Sequence, residues 1–195
     1  FGRLIMTFEI SDIEFDDEKT WQLICEGKTK GVFQLESSLG KTWAKKVKPK
    51  NIEELSDLVA IIRPGCLKAI VDGKSMTQHY VDRKHGESEI FYLHNSLEPI
   101  LKKTQGVLVY QEQSMQIAQQ LAGFNLQEAD DLRKAIGKKK ADLMNKIKKR
   151  FIKGAKKQDI VSKEVAEEIF SWIEKSSRYA FNKSHSVSYA ICAYW

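Results

Sequence analysis

The sequence contains few of the residues that build disulfide frameworks, zinc sites or long linkers. It has three prolines and three cysteines, Cys25, Cys66 and Cys192, among 195 residues. Because the cysteines are scattered and odd in number, they exclude a disulfide framework and a Cys-rich zinc site, and we expect a reducing compartment, the cytoplasm. No apolar run approaches the roughly 18 residues that a membrane span needs, so we expect no membrane partner.

The two ends of the sequence predict a piece of a longer protein. The chain opens on Phe1 without an initiator Met, and it stops at Trp195 inside an apolar run. No signal peptide is visible, and no internal repeat or low-complexity linker divides the chain. Hydrophobic residues make up 42% and charged residues 30%, which is the composition of a soluble folded domain.

Positive charge is concentrated in one block of the second half. The whole chain has 32 basic and 26 acidic residues, a formal charge of +6. Between Arg133 and Lys157 twelve basic residues face one acid, Asp142, which is an excess of eleven. Such a block neutralises phosphates, and the alternative is a solvated helix face opposite an apolar stripe. The size of the excess favours contact with a polyanion such as nucleic acid.

The spacing of apolar residues predicts a mainly α fold with a few short strands near the N-terminal part. Capping residues mark the helix starts, which are Asp16 or Asp17, Ser37 or Ser38, Asn51, Asn125, Ser162 and the stretch 182–184. We expect further helices over 75–84, 96–103 and 107–122, with stops at Gly123 and Gly137. A short strand is expected at 31–35.

Most catalytic and metal-binding patterns are absent. The four histidines lack zinc-ligand spacing, and 137–140 lacks the first glycine and the hydroxyl residue of a P-loop. Asp12, Glu14 and Asp16 alternate and on a strand could hold two divalent ions, but helix capping by aspartate is the more common use. Ser184 and His185 lack the glycine elbow of a hydrolase nucleophile.

The most informative local pattern is 181–186, which reads Phe-Asn-Lys-Ser-His-Ser. It places a capping Asn182, the cation Lys183, and the donors Ser184 and His185 at a predicted helix start. Free N–H groups and the helix dipole favour anions there. The pattern therefore predicts a phosphate-binding corner, and the alternative is an ordinary N-cap with a solvated lysine.

Seven segments together resemble the C-family replicative DNA polymerases, the family of the bacterial DNA polymerase III alpha subunits. They occur in the order and spacing of that family from about residue 15 to the end. The segments are 31–37 (GVFQLES), 63–65 (RPG), 81–86 (VDRKHG), 97–101 (LEPIL), 110–118 (YQEQSMQIA), 129–139 (ADDLRKAIGKK) and 181–186 (FNKSHS). The chain departs from the family at Cys66, where a proline is usual.

The resemblance implies that residues 16–195 are a fingers domain and that 1–15 end a preceding palm or linker segment. The catalytic aspartates of the family lie in the palm and hold Mg²⁺, and no residue here matches them. The isolated chain is therefore expected to be inactive. Implied partners are deoxynucleoside triphosphates, primer–template DNA and other replisome subunits, the last through parts outside this chain.

The resemblance and the charge pattern together assign candidate contacts. The expected contacts with the incoming nucleotide are Arg63, Arg133, Lys134, Lys138, Asn182, Lys183, Ser184 and His185. The expected contacts with the DNA backbone are Lys139, Lys140, Lys146, Lys149 and Lys153. Residues 110–113 could approach the nascent base pair or satisfy a helix interior. Two other functions stay open, a helical basic nucleic-acid-binding module without an enzymatic role and, less favoured, a hydrolase using Ser184 and His185.

Overall fold

The structure is a computed structural model that describes residues 9–138 and 141–195. The described residues are mainly helical, which confirms the predicted fold class. The α-helices are α1 Glu18–Cys25, α2 Ser38–Val47, α3 Ile52–Ile61, α4 Pro64–Lys68, α5 Met76–Lys84, α6 Glu98–Leu101, α7 Gln111–Ala122, α8 Leu126–Lys138, α9 Ala141–Gln158, α10 Lys163–Ser176 and α11 Lys183–Tyr194. Short 3₁₀ turns cover Ile10–Asp12, Asn95–Leu97 and Lys102–Thr104.

The strands of the described part form one small hairpin. Strands β1 (Ile70–Val71) and β2 (Lys74–Ser75) pair antiparallel, with Ile70 opposite Ser75. Asp72 and Gly73, at the turn, have φ of 49° and 76°, the positive values that a tight two-residue hairpin turn requires. The strand predicted at 31–35 is wrong, because this segment forms turns and Gln34 has a φ of 64°, outside the extended region.

Two compact units make up the chain. The first consists of the residues up to 59 together with 185–195, and the second of 60–184. In the first unit, Asp17 caps α1 by accepting from the Thr20 N–H at 2.8 Å. The Tyr194 hydroxyl accepts from the Asp17 N–H at 2.9 Å, and the Tyr194 ring lies 4.9 Å from that of Trp21. The first unit thereby ties its N-terminal helix to the end of α11.

In the second unit, the apolar faces of α7, α8, α9 and α10 meet in one core. Ile117, Leu132, Phe151 and Phe170 are almost completely buried there, and the rings of Phe151 and Phe170 lie 5.3 Å apart. The apolar face of α9 packs in this core, and such packing supplies most of the stability of an amphipathic helix. Among the described residues, none of the helices is long and apolar enough to cross a membrane.

Two predicted helix boundaries are wrong. Residues 107–109 are buried and not helical, and α7 begins at Gln111 instead of Val107. A short apolar run has no period that separates strand from helix, and here the Gln113 side-chain oxygen accepts from the backbone N–H groups of Val109 and Tyr110 at 2.9 Å each. α8 continues through Gly137, the predicted stop, to Lys138, and a glycine inside a helix costs only about 1 kcal/mol.

Candidate functional site

The segment before α11 is held by the segment that begins α7. The Phe181 N–H donates to the Val109 carbonyl, and the Gln111 N–H donates to the Phe181 carbonyl, both at 2.9 Å. Tyr110 and Phe181 thus form an isolated parallel bridge. We call Tyr110, Glu112, Phe181, Asn182 and Lys183 the corner. All five belong to the second unit.

Glu112 supplies the anion of the corner. Its carboxylate accepts from the Asn182 side-chain amide at 3.1 Å and from the Lys183 backbone N–H at 3.0 Å. Lys183 is the first residue of α11, so its N–H lacks a partner within the helix and the helix dipole favours an acceptor there. The carboxylate of Glu112 therefore occupies a position where the sequence predicts phosphate.

Two cations stand over the rings of the bridge. The Lys183 ammonium lies 5.6 Å from the centroid of the Tyr110 ring, and the Arg63 guanidinium lies 3.6 Å from that of Phe181. Cations over aromatic faces are attracted by the ring quadrupole without being neutralised. The structure thus brings Arg63 and Lys183 to the two rings of one bridge.

Arg63 also holds the backbone that leads to the corner. Its side chain donates to the carbonyls of Ala60 and Tyr179, at 3.1 Å each. Burial lowers the pKa of Arg63, and burial raises the pKa of Cys66 to about 11 although the Arg63 charge opposes the rise. Since the thiolate is the nucleophilic form, Cys66 is a protonated packing residue at neutral pH.

Arg133 and Lys134 form ion pairs within α8. Both contact Asp130, at 2.7 and 2.8 Å, and Lys134 lies 3.8 Å from Asp131. Hydrogen bonds from Lys134 and then Arg133 lower the pKa of Asp130. These pairs are partly exposed and worth little to stability. They join the two cations to acids of their own helix, and the side chain of Lys138 lies outside the described residues.

The basic face of α9 is open to solvent. Lys146, Lys149 and Lys153 are exposed, whereas Ile147 and Phe151 between them are buried. From Lys146 to Lys153, α9 rises about 10 Å at 1.5 Å per residue. An exposed row of three lysines along this length suits a phosphate backbone. Lys139 and Lys140 lie outside the described residues.

Two other cations of α9 have acidic partners. Lys148 lies 3.5 Å from Glu174, and Arg150 is paired with Glu128. The Arg150 guanidinium also stands 5.9 Å from the Phe124 ring. These ion pairs join α9 to α10 and to α8. Only some of the basic residues of the block are therefore exposed without a recorded acidic partner among the described residues.

Ser184 and His185 do not form a nucleophile and base pair. They are adjacent exposed residues in the first turn of α11, and neighbouring residues of a helix do not face each other. Ser184 belongs to the second unit, whereas His185 belongs to the first. The His185 ring lies 4.0 Å from that of Tyr189. This geometry speaks against the hydrolase interpretation.

Glu112 and Gln113 have hydrogen-bond partners within the protein, which the sequence alone did not identify. Gln113 is buried, and its side-chain amide donates to the Thr104 hydroxyl at 2.8 Å. Glu112 contacts the start of α11, 70 residues away. No pattern in a single sequence pairs positions so far apart. The sequence shows only that both residues are polar and lie in the first turn of α7.

No ligand set for a divalent ion is found in the residues that the structure describes. Asp12 accepts from the Glu9 N–H at 3.1 Å, and Asp17 is the N-cap of α1. Asp12 and Asp17 are therefore engaged in capping. The described residues do not fit Mg²⁺, and no step through a metal is assigned to this chain.

Comparison with known proteins identifies similar sequences along nearly the whole chain. The family model described as "Bacterial DNA polymerase III alpha subunit finger domain" matches residues 4–159. The DNA polymerase III subunit alpha of Aquifex aeolicus is 46% identical over 184 residues, and that of Escherichia coli strain K12 is 44% identical over 191 residues. These alignments cover 94% and 95% of this chain but 15% and 16% of the relatives.

Proposed function

We propose a function from one premise, which is that this chain belongs to the bacterial DNA polymerase III alpha subunit finger domain family. The chain is the part of a template-directed DNA polymerase that contacts the incoming deoxynucleoside triphosphate and the backbone of the primer–template. The observation that carries the proposal is the pair of cations, Arg63 and Lys183, held over the bridged rings of Tyr110 and Phe181.

The chemistry of nucleotidyl transfer requires such cations. Negative charge develops on the transferring phosphate and on the leaving pyrophosphate, and cations fixed in advance stabilise it without reorganisation. The Lys183 ammonium stands over the Tyr110 ring, and the Arg63 guanidinium is oriented by the Phe181 ring and two backbone carbonyls. The further nucleotide contacts of the proposal are Arg133, Lys134, Lys138, Asn182, Ser184 and His185.

The DNA contact is assigned to the exposed row on α9. Lys146, Lys149 and Lys153, with Lys139 and Lys140 before them, meet phosphates and carry no base specificity. Mg²⁺ and the catalytic carboxylates belong to the palm, outside this chain. The contacts with other replisome subunits are also made by parts outside this chain. The compartment is that of bacterial DNA replication, the cytoplasm.

The second candidate function is a helical basic module that binds nucleic acid without an enzymatic role. The exposed row on α9 favours it as much as it favours a polymerase. The corner distinguishes the two, because a module that only binds a backbone gains nothing from cations arranged at an internal bridge.

A segment exchange tests the proposed function. We expect the Escherichia coli alpha subunit, with its matching segment replaced by this chain, to retain template-directed incorporation in a primer-extension assay. The isolated chain, assayed with the same primer–template, triphosphates and Mg²⁺, should incorporate nothing because it lacks the metal-binding carboxylates. An exchanged enzyme that folds and binds DNA but cannot extend a primer would contradict the polymerase role, and incorporation by the isolated chain would contradict its inactivity.

The salt dependence of DNA binding tests the role of α9. Replacing Lys146, Lys149 and Lys153 by Gln should reduce the slope of log affinity against log salt by about 3, since each lost phosphate contact on duplex DNA removes about 0.9. The matched control replaces Lys28, Lys102 and Lys163 by Gln, which changes the net charge equally at exposed lysines elsewhere. Equal slopes for the two variants would mean that the α9 face is merely solvated.

A further inference from the structure

We propose that Glu112 is a positioning residue that directs the Lys183 ammonium toward the triphosphate. This role rests on the proposed function and adds a carboxylate to a site otherwise described by its cations. Glu112 is half-buried on the first turn of α7, and it reaches across to the first residue of α11. Its carboxylate accepts from the side chain of Asn182 and from the backbone of Lys183.

The two hydrogen bonds of Glu112 fix consecutive residues. One oxygen accepts from the Asn182 side chain and the other from the Lys183 backbone. The preceding residue, Phe181, is fixed on both sides by backbone bonds to Val109 and Gln111. These hydrogen bonds fix the backbone from Phe181 to Lys183. Glu112 thereby helps to set the direction in which the Lys183 side chain leaves α11.

The segment that contains Glu112 also positions the ammonium of Lys183. The ammonium of Lys183 stands over Tyr110, two residues before Glu112. A lysine side chain loses rotamer entropy when it is ordered. Fixing both its root and its tip before the substrate arrives removes that loss from the binding step, which is how preorganisation raises affinity.

The carboxylate has a second consequence for the geometry of binding. Because Glu112 occupies the Lys183 backbone N–H, a phosphate meets the lysine side chain and not this first amide of α11. The contact is then between a point charge on a long stem and the triphosphate. Such a contact depends on where the stem starts, so it is sensitive to the loss of Glu112.

Nucleotide kinetics of the exchanged enzyme test this role. We expect Glu112→Ala to raise the KM for the triphosphate by roughly 10-fold, the effect of losing one charge-assisted contact, with little change in primer–template affinity. Glu112→Gln keeps one carbonyl oxygen for the Lys183 N–H and should recover most of the loss. Glu98→Ala removes an exposed glutamate that pairs with Lys102 and serves as the control.

The double variant distinguishes positioning from a general structural role. If Glu112 acts through Lys183, then Glu112→Ala adds nothing to the KM of Lys183→Ala. Multiplied effects in the double variant, or a normal KM in a stably folded Glu112→Ala enzyme, would overturn the role of Glu112 alone. A normal KM in Lys183→Ala would instead remove the proposed nucleotide contact, and the role of Glu112 with it. The melting temperature of each variant is measured to test whether unfolding causes a change in KM.

Discussion

Lys183→Ala in the exchanged enzyme is expected to lower kcat/KM for the incoming nucleotide by roughly 10- to 150-fold. The substitution removes a charge-assisted contact with phosphate, worth about 1.5–3 kcal/mol. The fold should persist, because the half-buried Lys183 side chain loses only a cation–π contact at 5.6 Å. The backbone N–H of residue 183, which donates to Glu112, is unchanged by the substitution. Affinity for primer–template should hardly change, since one cation of many is lost. Steady-state nucleotide titrations and DNA binding at fixed salt measure both quantities.

Two further variants make the result on Lys183 decisive. Lys175→Ala removes an exposed lysine from the last turn of α10 and should leave nucleotide kinetics unchanged. Asn182→Ala removes the amide that donates to Glu112 and should lower the melting temperature. If Lys183 is only a surface residue and Asn182 only a cap, then Asn182→Ala loses stability while Lys183→Ala keeps normal kinetics. That pattern would end the case for a triphosphate contact.

Gly154→Ala is expected to destabilise the fold by roughly 2–3 kcal/mol and to lower its melting temperature by roughly 5–10 °C. A Cβ added at Gly154 of α9 would overlap the carbonyl oxygen of Ala122 and lie 3.1 Å from the Ala122 Cβ. The obstacle is the backbone of α7, which cannot turn aside as a side chain can. The clash therefore exceeds the gain of up to about 1 kcal/mol that alanine brings to a helix.

The control for Gly154 lies on the same helix. Asn145→Ala replaces an exposed residue of α9 and brings a gain in helix propensity without a clash. It should be neutral or slightly stabilising in thermal unfolding. An unchanged or raised melting temperature for Gly154→Ala would mean that α7 and α9 do not cross so closely, and that the core of the second unit is packed differently.

Helix starts were predictable because their signals are local. Asn125 and Glu128 cap α8 reciprocally, at 2.9 Å in both directions, and four residues of sequence suffice to recognise this. Ser162 caps α10 by accepting from the Val165 N–H at 3.2 Å. The non-helical run at 107–109 was not predictable, since Val109 is held by the Gln113 side chain and by Phe181, which is far away in sequence.

Of the two segments that form the candidate site, only the one before α11 was predictable from the sequence. The motif around Asn182 and Lys183 carries a cap-type residue and a cation at a helix start, which a sequence displays directly. The residues that receive this motif, Tyr110 and Glu112, belong to a helix start with no anion-binding pattern of its own. Their relation to α11 depends on a bridge between distant segments, and it becomes visible only once the bundle of α7–α10 is folded.

The bridge between Tyr110 and Phe181 has a consequence for the order of folding. It closes a loop of about 70 residues, and closing a loop of that length costs on the order of 4 kcal/mol of chain entropy. Contacts of such high sequence separation form after local helices and their packing. We therefore expect the lysine row on α9 to form early in folding and the corner that carries Lys183 to assemble among the last parts of the second unit.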